Sequence, residues 1–147
     1  MWNRCFEVSL TAIFDLTKLL LSKIKKSKSA SIINISSIYG VYGPDWEIYK
    51  GTKMSNPASY ASAKAGLIHL SKWLSKTLGP KIRINTVSPG GIFRNQPKKF
   101  VRAYIKKTSL KRMAIENDFM GIILLLASDA SSYITGQNII VDGGLGS

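Results

Sequence analysis

Tyr60 and Lys64 stand four residues apart in Tyr60-Ala61-Ser62-Ala63-Lys64, and Ser37 closes an apolar run, Ile32-Ile33-Asn34-Ile35-Ser36-Ser37. On a helix, residues four apart share one face. A free phenol titrates near about 10. An ammonium held beside it favours the phenolate and lowers that value. A tyrosine tuned in this way can pass a proton to or from a substrate oxygen near neutral pH. A serine hydroxyl at the end of a neighbouring strand can hold the same oxygen. Ser37, Tyr60 and Lys64 are therefore the candidate catalytic residues. Alone, Tyr-x-x-x-Lys is a weak signal, because an exposed helix face explains most such pairs. The elements around it give it weight.

Asn56 and Pro57 precede the pair, an N-cap residue and a residue suited to the first helical position. This predicts a helix whose first turn holds Tyr60. Leu67, Leu70, Leu74 and Leu78 then recur at helical spacing, and Gly79-Pro80 stops the helix. Ile82 to Val87 reads as a strand that ends at Ser88-Pro89-Gly90-Gly91. The order is strand, serine, tyrosine-bearing helix, strand, Pro-Gly, which predicts an α/β fold with a parallel sheet.

With these residues in this order, the chain resembles the short-chain dehydrogenase/reductase family over nearly its whole length. Ile33 to Gly40 is similar to the family's catalytic-serine segment, and Tyr60 to Gly66 to its signature helix. Ile84-Asn85-Thr86-Val87-Ser88-Pro89-Gly90 is similar to its Asn-x-x-x-Pro-Gly segment, and Tyr133 to Gln137 with Val141-Asp142-Gly143-Gly144 to its closing strand. The resemblance implies a doubly wound, parallel-sheet Rossmann fold and hydride transfer between NAD or NADP and a small carbonyl or alcohol substrate. It implies that Ser37 holds the substrate oxygen, that Tyr60 transfers the proton, and that Lys64 tunes Tyr60 and binds the nicotinamide ribose. Cofactor contacts fall to Tyr60, Lys64, Pro89, Gly90 and Ile92. A threonine often touches the cofactor where Arg94 stands, so Arg94 is free to meet an anion instead. Where the family often has an asparagine holding a relay water, this chain has Ser9, which is shorter and offers fewer hydrogen bonds.

A nicotinamide enzyme of this kind seats the pyrophosphate on a glycine-rich turn between a first strand and a helix. The sequence contains no such turn; Gly143-Gly144-Leu145-Gly146 has no helix after it. Residues 1–147 therefore read as one partial Rossmann-type domain, the C-terminal catalytic half, lacking the first strands. The expected function is a truncated or split oxidoreductase. The alternative is an inactive fragment that serves as an oligomerising or interaction module.

The single cysteine, Cys5, excludes a disulfide framework and a cysteine-based zinc site, so no metal is expected. No signal peptide pattern and no membrane-spanning run are visible, which makes the cytoplasm the expected location. The net charge of +13 raises the question of nucleic acid. The basic residues are scattered along helical patterns, however, and read as solvated faces, with no nucleic-acid partner expected.

Residues 6–24 form a long helical pattern that is apolar on several sides, and such a helix usually has two partners. One is the sheet. The other is a second subunit, met through helices 6–24 and 58–78, or the missing N-terminal half; a simple core helix is the alternative. Residues 38–55 form a long irregular loop carrying Tyr39, Tyr42, Trp46, Tyr49, Lys50 and Lys53. These residues suit a sugar substrate, an anionic one included, or else surface packing. Residues 96–107 read as a mobile helical lid near the substrate, with Pro97, Phe100, Tyr104 and the lysines as contact candidates. His69 has no second ligand at metal spacing and reads as a core or interface histidine. Residues 115–127 form a second apolar helix, packed through Ile122, Ile123, Leu125 and Leu126, before a last strand at 138–141.

Overall fold

The computed structural model describes residues 1–147. Three parallel strands form the sheet in the order β1 (Ala30–Ile35), β2 (Ile82–Pro89), β3 (Asn138–Val141). Ala30 pairs with Ile82 and Ile35 with Val87, while Val87 also pairs with Ile139. The carboxyl ends of all three strands thus lie level, along the edge where open α/β sheets bind ligands.

The first helix, α1, runs from Trp2–Phe6 through a π-helical segment, Glu7–Thr11, into Ala12–Ile24. The sequence pattern places a helix at 6–24, but the π segment, where the hydrogen bonds slip by one residue, has no signature in it. Helix α3 (Ala58–Leu78) follows a short helix, α2 (Trp46–Tyr49), in the long loop. Helices α1 and α3 cover one face of the sheet. Their Leu21, Ile24, Leu70 and Leu74 pack on Ala30, Ile32, Ile82 and Ile84, which share that face through the strand register. Burying each large aliphatic side chain there contributes about 1.5–3 kcal/mol. The two helices also touch each other, since a Cβ on Gly66 would sit 3.1 Å from Leu10.

Helix α5 (Met120–Ala127) packs on the opposite face, tied by Ser31 and Arg83, which both donate to the Leu126 carbonyl. Helices on both faces of a parallel sheet fit the expected α/β class. Only Leu126 of α5 is buried, and Leu124 and Leu125 are exposed. The expected packing through Leu125 is corrected accordingly. The helix lies against the sheet along one line, and its apolar residues outnumber the positions on that line.

Two local expectations also change. Pro57, not Asn56, is the N-cap of α3, and the buried Asn56 side chain has no hydrogen-bond partner. Tyr60 still falls in the first turn, because its N–H donates to the Pro57 carbonyl. The helical residues of the 115–127 segment begin with a 3-10 turn, Glu116–Phe119. Its entry is fixed by Asp118, which accepts from the Ile115 N–H and from both terminal nitrogens of Arg112. The outer edge of β1 has no strand beside it. No helix is long and apolar enough to cross a membrane.

Candidate functional site

A cavity of about 440 Å³ opens at the carboxyl ends of β1 and β2. Ser37, Tyr60, Lys64, Pro89, Gly90 and Ile92 all line it, so the residues expected for catalysis and cofactor contact lie around one cavity. Strand β1 delivers the serines. Ser36 N–H donates to the Val87 carbonyl, and its hydroxyl donates to the Lys64 carbonyl at 2.9 Å, which ties the strand end to α3. Ser37 then turns its hydroxyl toward the N–H of Tyr39, capping a 3-10 turn, Ile38–Gly40. That turn lies tight on α3, since a Cβ on Gly40 would come within 2.8 Å of the Lys64 backbone.

Lys64 is held from two sides. Its Nζ donates to the Ile35 carbonyl at 2.9 Å and lies 5.8 Å from the centroid of the Tyr60 ring. Burial pushes its pKa below the usual lysine value. The ammonium is thus anchored by strand and helix together, beside the phenol it was expected to influence.

Gly90 and Gly91 bring the chain after β2 into the cavity wall. A Cβ on Gly91 would sit 2.8 Å from the Tyr104 ring, so the close approach requires glycine. The loop is pinned by Gly91 N–H donating to the Tyr104 hydroxyl at 2.5 Å and by Gln96 donating to the Ile92 carbonyl at 2.8 Å. Asn85, a fully buried residue of β2, donates to the Ile134 carbonyl and accepts from the Gln137 N–H, which orders the approach to β3.

Arg94 does not line the cavity; it pairs with Glu116 at 2.5 Å, so its anion is a carboxylate of the protein itself. Ser9 lies in the π segment of α1, outside the cavity lining. His69 is exposed on α3 beside Trp73, in a hollow between α1 and α3, which removes the core reading. No cluster of metal-ligating side chains is present.

The long loop contributes more than surface packing. Tyr39, Tyr49 and Met54 enter the cavity wall, while Lys50 and Lys53 stay outside in solvent. Helix α4 (Lys98–Lys107) adds Phe100 and Tyr104, both buried, as its four-residue spacing allows. An ion pair between Lys107 and Asp45 fastens the loop to α4. Gln96 and Met113 were not singled out in the sequence, since neither carries a spacing signal.

Residues 1–146 match the family model described as Enoyl-(Acyl carrier protein) reductase. The Post-translational flagellin modification protein A of Campylobacter coli is 42% identical over 123 residues, 83% of this chain and 48% of that protein. The 3-oxoacyl-(acyl-carrier-protein) reductase FabG of Thermotoga maritima is 35% identical over 98% of this chain and 56% of its own length. A short-chain dehydrogenase of Leptospira borgpetersenii with bound NAD+ superposes with a TM-score of 0.90 at 41% identity, over 98% of this chain and 56% of that one. The chain spans about half the length of the relatives it matches. By the family match, by these relatives and by the fold that carries Ser37, Tyr60 and Lys64 to one cavity, the chain belongs to the short-chain dehydrogenase/reductase family.

Proposed function

We propose that this chain carries the proton-transfer half of an NAD(P)-dependent oxidoreductase acting on a small carbonyl or alcohol substrate. The observation that carries the reading is the convergence of Ser37, Tyr60 and Lys64 on one cavity with the Pro89–Ile92 loop. Residues 1–147 are read as one partial Rossmann-type domain.

The residues present fit the nicotinamide end of the cofactor. Gly90 and Gly91 line the cavity beside Lys64, which presents a fixed ammonium for ribose hydroxyls. When bound, the nicotinamide supplies or accepts the hydride. The Ser37 hydroxyl holds the substrate oxygen, and Tyr60 gives that oxygen a proton in reduction or takes one in oxidation. Lys64, locked to the Ile35 carbonyl, keeps its ammonium beside the Tyr60 ring. Ser9 stands where the family often has the relay asparagine; it lies outside the cavity lining, so a relay through it is weakened or rearranged.

The adenine and pyrophosphate end requires a glycine-rich strand–turn–helix. The unpaired edge of β1 supports a reading in which such a segment adds its strands there. A second reading is an interaction module without turnover. The exposed Val8, Leu16 and Leu19 of α1 and Trp73 of α3 favour it, since they suit association with another copy. A cytoplasmic location belongs to the same proposal. Nucleic acid is not part of the proposal.

Nicotinamide mononucleotide tests the reading on this chain alone. Ligand-detected NMR is expected to show its binding, weakened in Lys64→Met, and no comparable binding of adenosine monophosphate. Absence of mononucleotide binding sinks the nicotinamide-end assignment.

A further inference from the structure

Three phenols besides Tyr60 line the cavity, and they come from three different elements. Tyr39 sits on the 3-10 turn after Ser37, Tyr49 on α2 and Tyr104 on α4. Tyr49 is 8% exposed and Tyr104 2% exposed. Phe100 packs between them, with ring centroids 5.3 Å from Tyr49 and 5.9 Å from Tyr104. The Tyr39 and Tyr49 hydroxyls are hydrogen-bonded to each other.

Each phenol carries one proton. The Tyr39–Tyr49 bond uses one of their two, whichever of them donates. The other proton has no acceptor in the protein. Tyr104 accepts from the Gly91 N–H, and its own proton likewise has no protein acceptor. Two phenolic donors are therefore left over in the same cavity as Ser37 and Tyr60. Burial raises the pKa of all three phenols, most strongly for Tyr39, so they stay neutral donors. These donors face the cavity, where a ligand oxygen can take the place of water as their acceptor. An alkyl chain cannot.

We propose that the Tyr39–Tyr49 hydroxyl pair and Tyr104 form a second oxygen-binding subsite, so that the substrate is a hydroxylated carbonyl compound, or the matching polyol, rather than a plain alkyl ketone or alcohol. The subsite's role in turnover rests on the reading of Tyr60 as the proton-transfer residue. Its ligand preference stands separately. A site built to hydrogen-bond a substrate hydroxyl discriminates strongly against an analogue that lacks it.

Ribulose and pentan-2-one share a five-carbon, 2-keto skeleton and differ in hydroxyl groups. Saturation-transfer NMR on the intact chain is expected to show ribulose binding in preference to pentan-2-one. Tyr49→Phe and Tyr104→Phe are each expected to reduce that preference by about tenfold, the size of one neutral hydrogen bond. Both variants keep the ring and its packing, and circular dichroism checks that they fold. Equal binding of the two ketones by the unmodified chain, or a preference untouched in both folded variants, overturns the subsite. Where hydride transfer is measurable, the ratio of kcat/KM for the two ketones is expected to fall in the same variants. Binding preference without any turnover leaves the subsite standing and counts against the dehydrogenase reading. Turnover with no hydroxyl preference does the reverse.

Discussion

The Lys64 ammonium donates to the Ile35 carbonyl oxygen at 2.9 Å, so α3 is bolted to the last residue of β1 by the lysine itself. The bond fixes the charge of Lys64 beside Tyr60 and leaves its remaining donors for a ligand. A lysine in water has three rotatable donors and no preferred place. Here one donor is committed to the strand end, and the others are confined to the cavity. Lys64→Met is expected to lower kcat/KM by about a hundredfold or more, in the range of general acid–base catalysis. Arginine at this position is expected not to rescue, because its planar fork does not reproduce a point charge.

The pH dependence of stability follows from the same lysine. Burial lowers its folded pKa, so the folded state binds fewer protons than the unfolded state between that lowered value and the usual lysine value of 10.5. Stability therefore rises with pH through that window as the burial penalty is relieved. The difference in Tm between the unmodified chain and Lys64→Met is expected to shift in favour of the unmodified chain as pH increases there. A difference that is flat with pH contradicts the assignment.

Asp118 gives a second titration, at the acid end. The Arg112 guanidinium, with help from the Ile115 N–H, holds its carboxyl down at about 2, below the usual value of 3.8. Its contribution is present above 3.8 and is lost as pH falls toward 2. Carboxyl NMR should find Asp118 titrating near 2 in the unmodified chain and closer to 3.8 in Arg112→Met. An unchanged titration in the variant excludes the ion pair as the cause.

Gly40 tests the contact between the serine turn and α3. A Cβ there meets backbone atoms of Lys64 and Ala65 at 2.8–2.9 Å, and backbone cannot swing aside as a side chain can. Gly40→Ala is expected to destabilise the fold by about 1–3 kcal/mol in urea denaturation, as overpacking does elsewhere. It should also displace Ser37, three residues earlier. A neutral effect means that the turn lies looser on the helix than described.

The unpaired edge of β1 and the exposed apolar residues of α1 and α5 predict self-association of the isolated chain. Light scattering after size exclusion should find species heavier than the 16.2 kDa monomer. A monodisperse monomer with a sharp cooperative melt contradicts this.

The candidate catalytic residues were legible because helical and strand periodicities state their own geometry. Tyr60 and Lys64 share a face wherever a helix forms, and an apolar run followed by Ser36-Ser37 marks a strand end. The aromatic wall was not legible in the same way. Tyr39 and Tyr49 belong to a loop without period, so their directions are set by tertiary contacts such as Lys107 with Asp45. The capping of α3 was misplaced because Asn56 is a good cap in general, yet here its side chain is buried without a partner. The π segment of α1 and the exposure of Leu125 depend on how the helices lie on the sheet, which residue types alone do not record.

Hydride transfer read at the reduced-nicotinamide absorbance tests the central claim most directly. The unmodified chain and Tyr60→Phe are compared with NADH and NADPH, alone and mixed with the glycine-rich N-terminal half of a relative. Ketone-dependent oxidation that appears with the complementing half, and falls by at least about a hundredfold in Tyr60→Phe, is the expected result. Equal rates for the two chains, or no oxidation under either condition, contradicts the assignment of Tyr60 as the proton-transfer residue of an oxidoreductase.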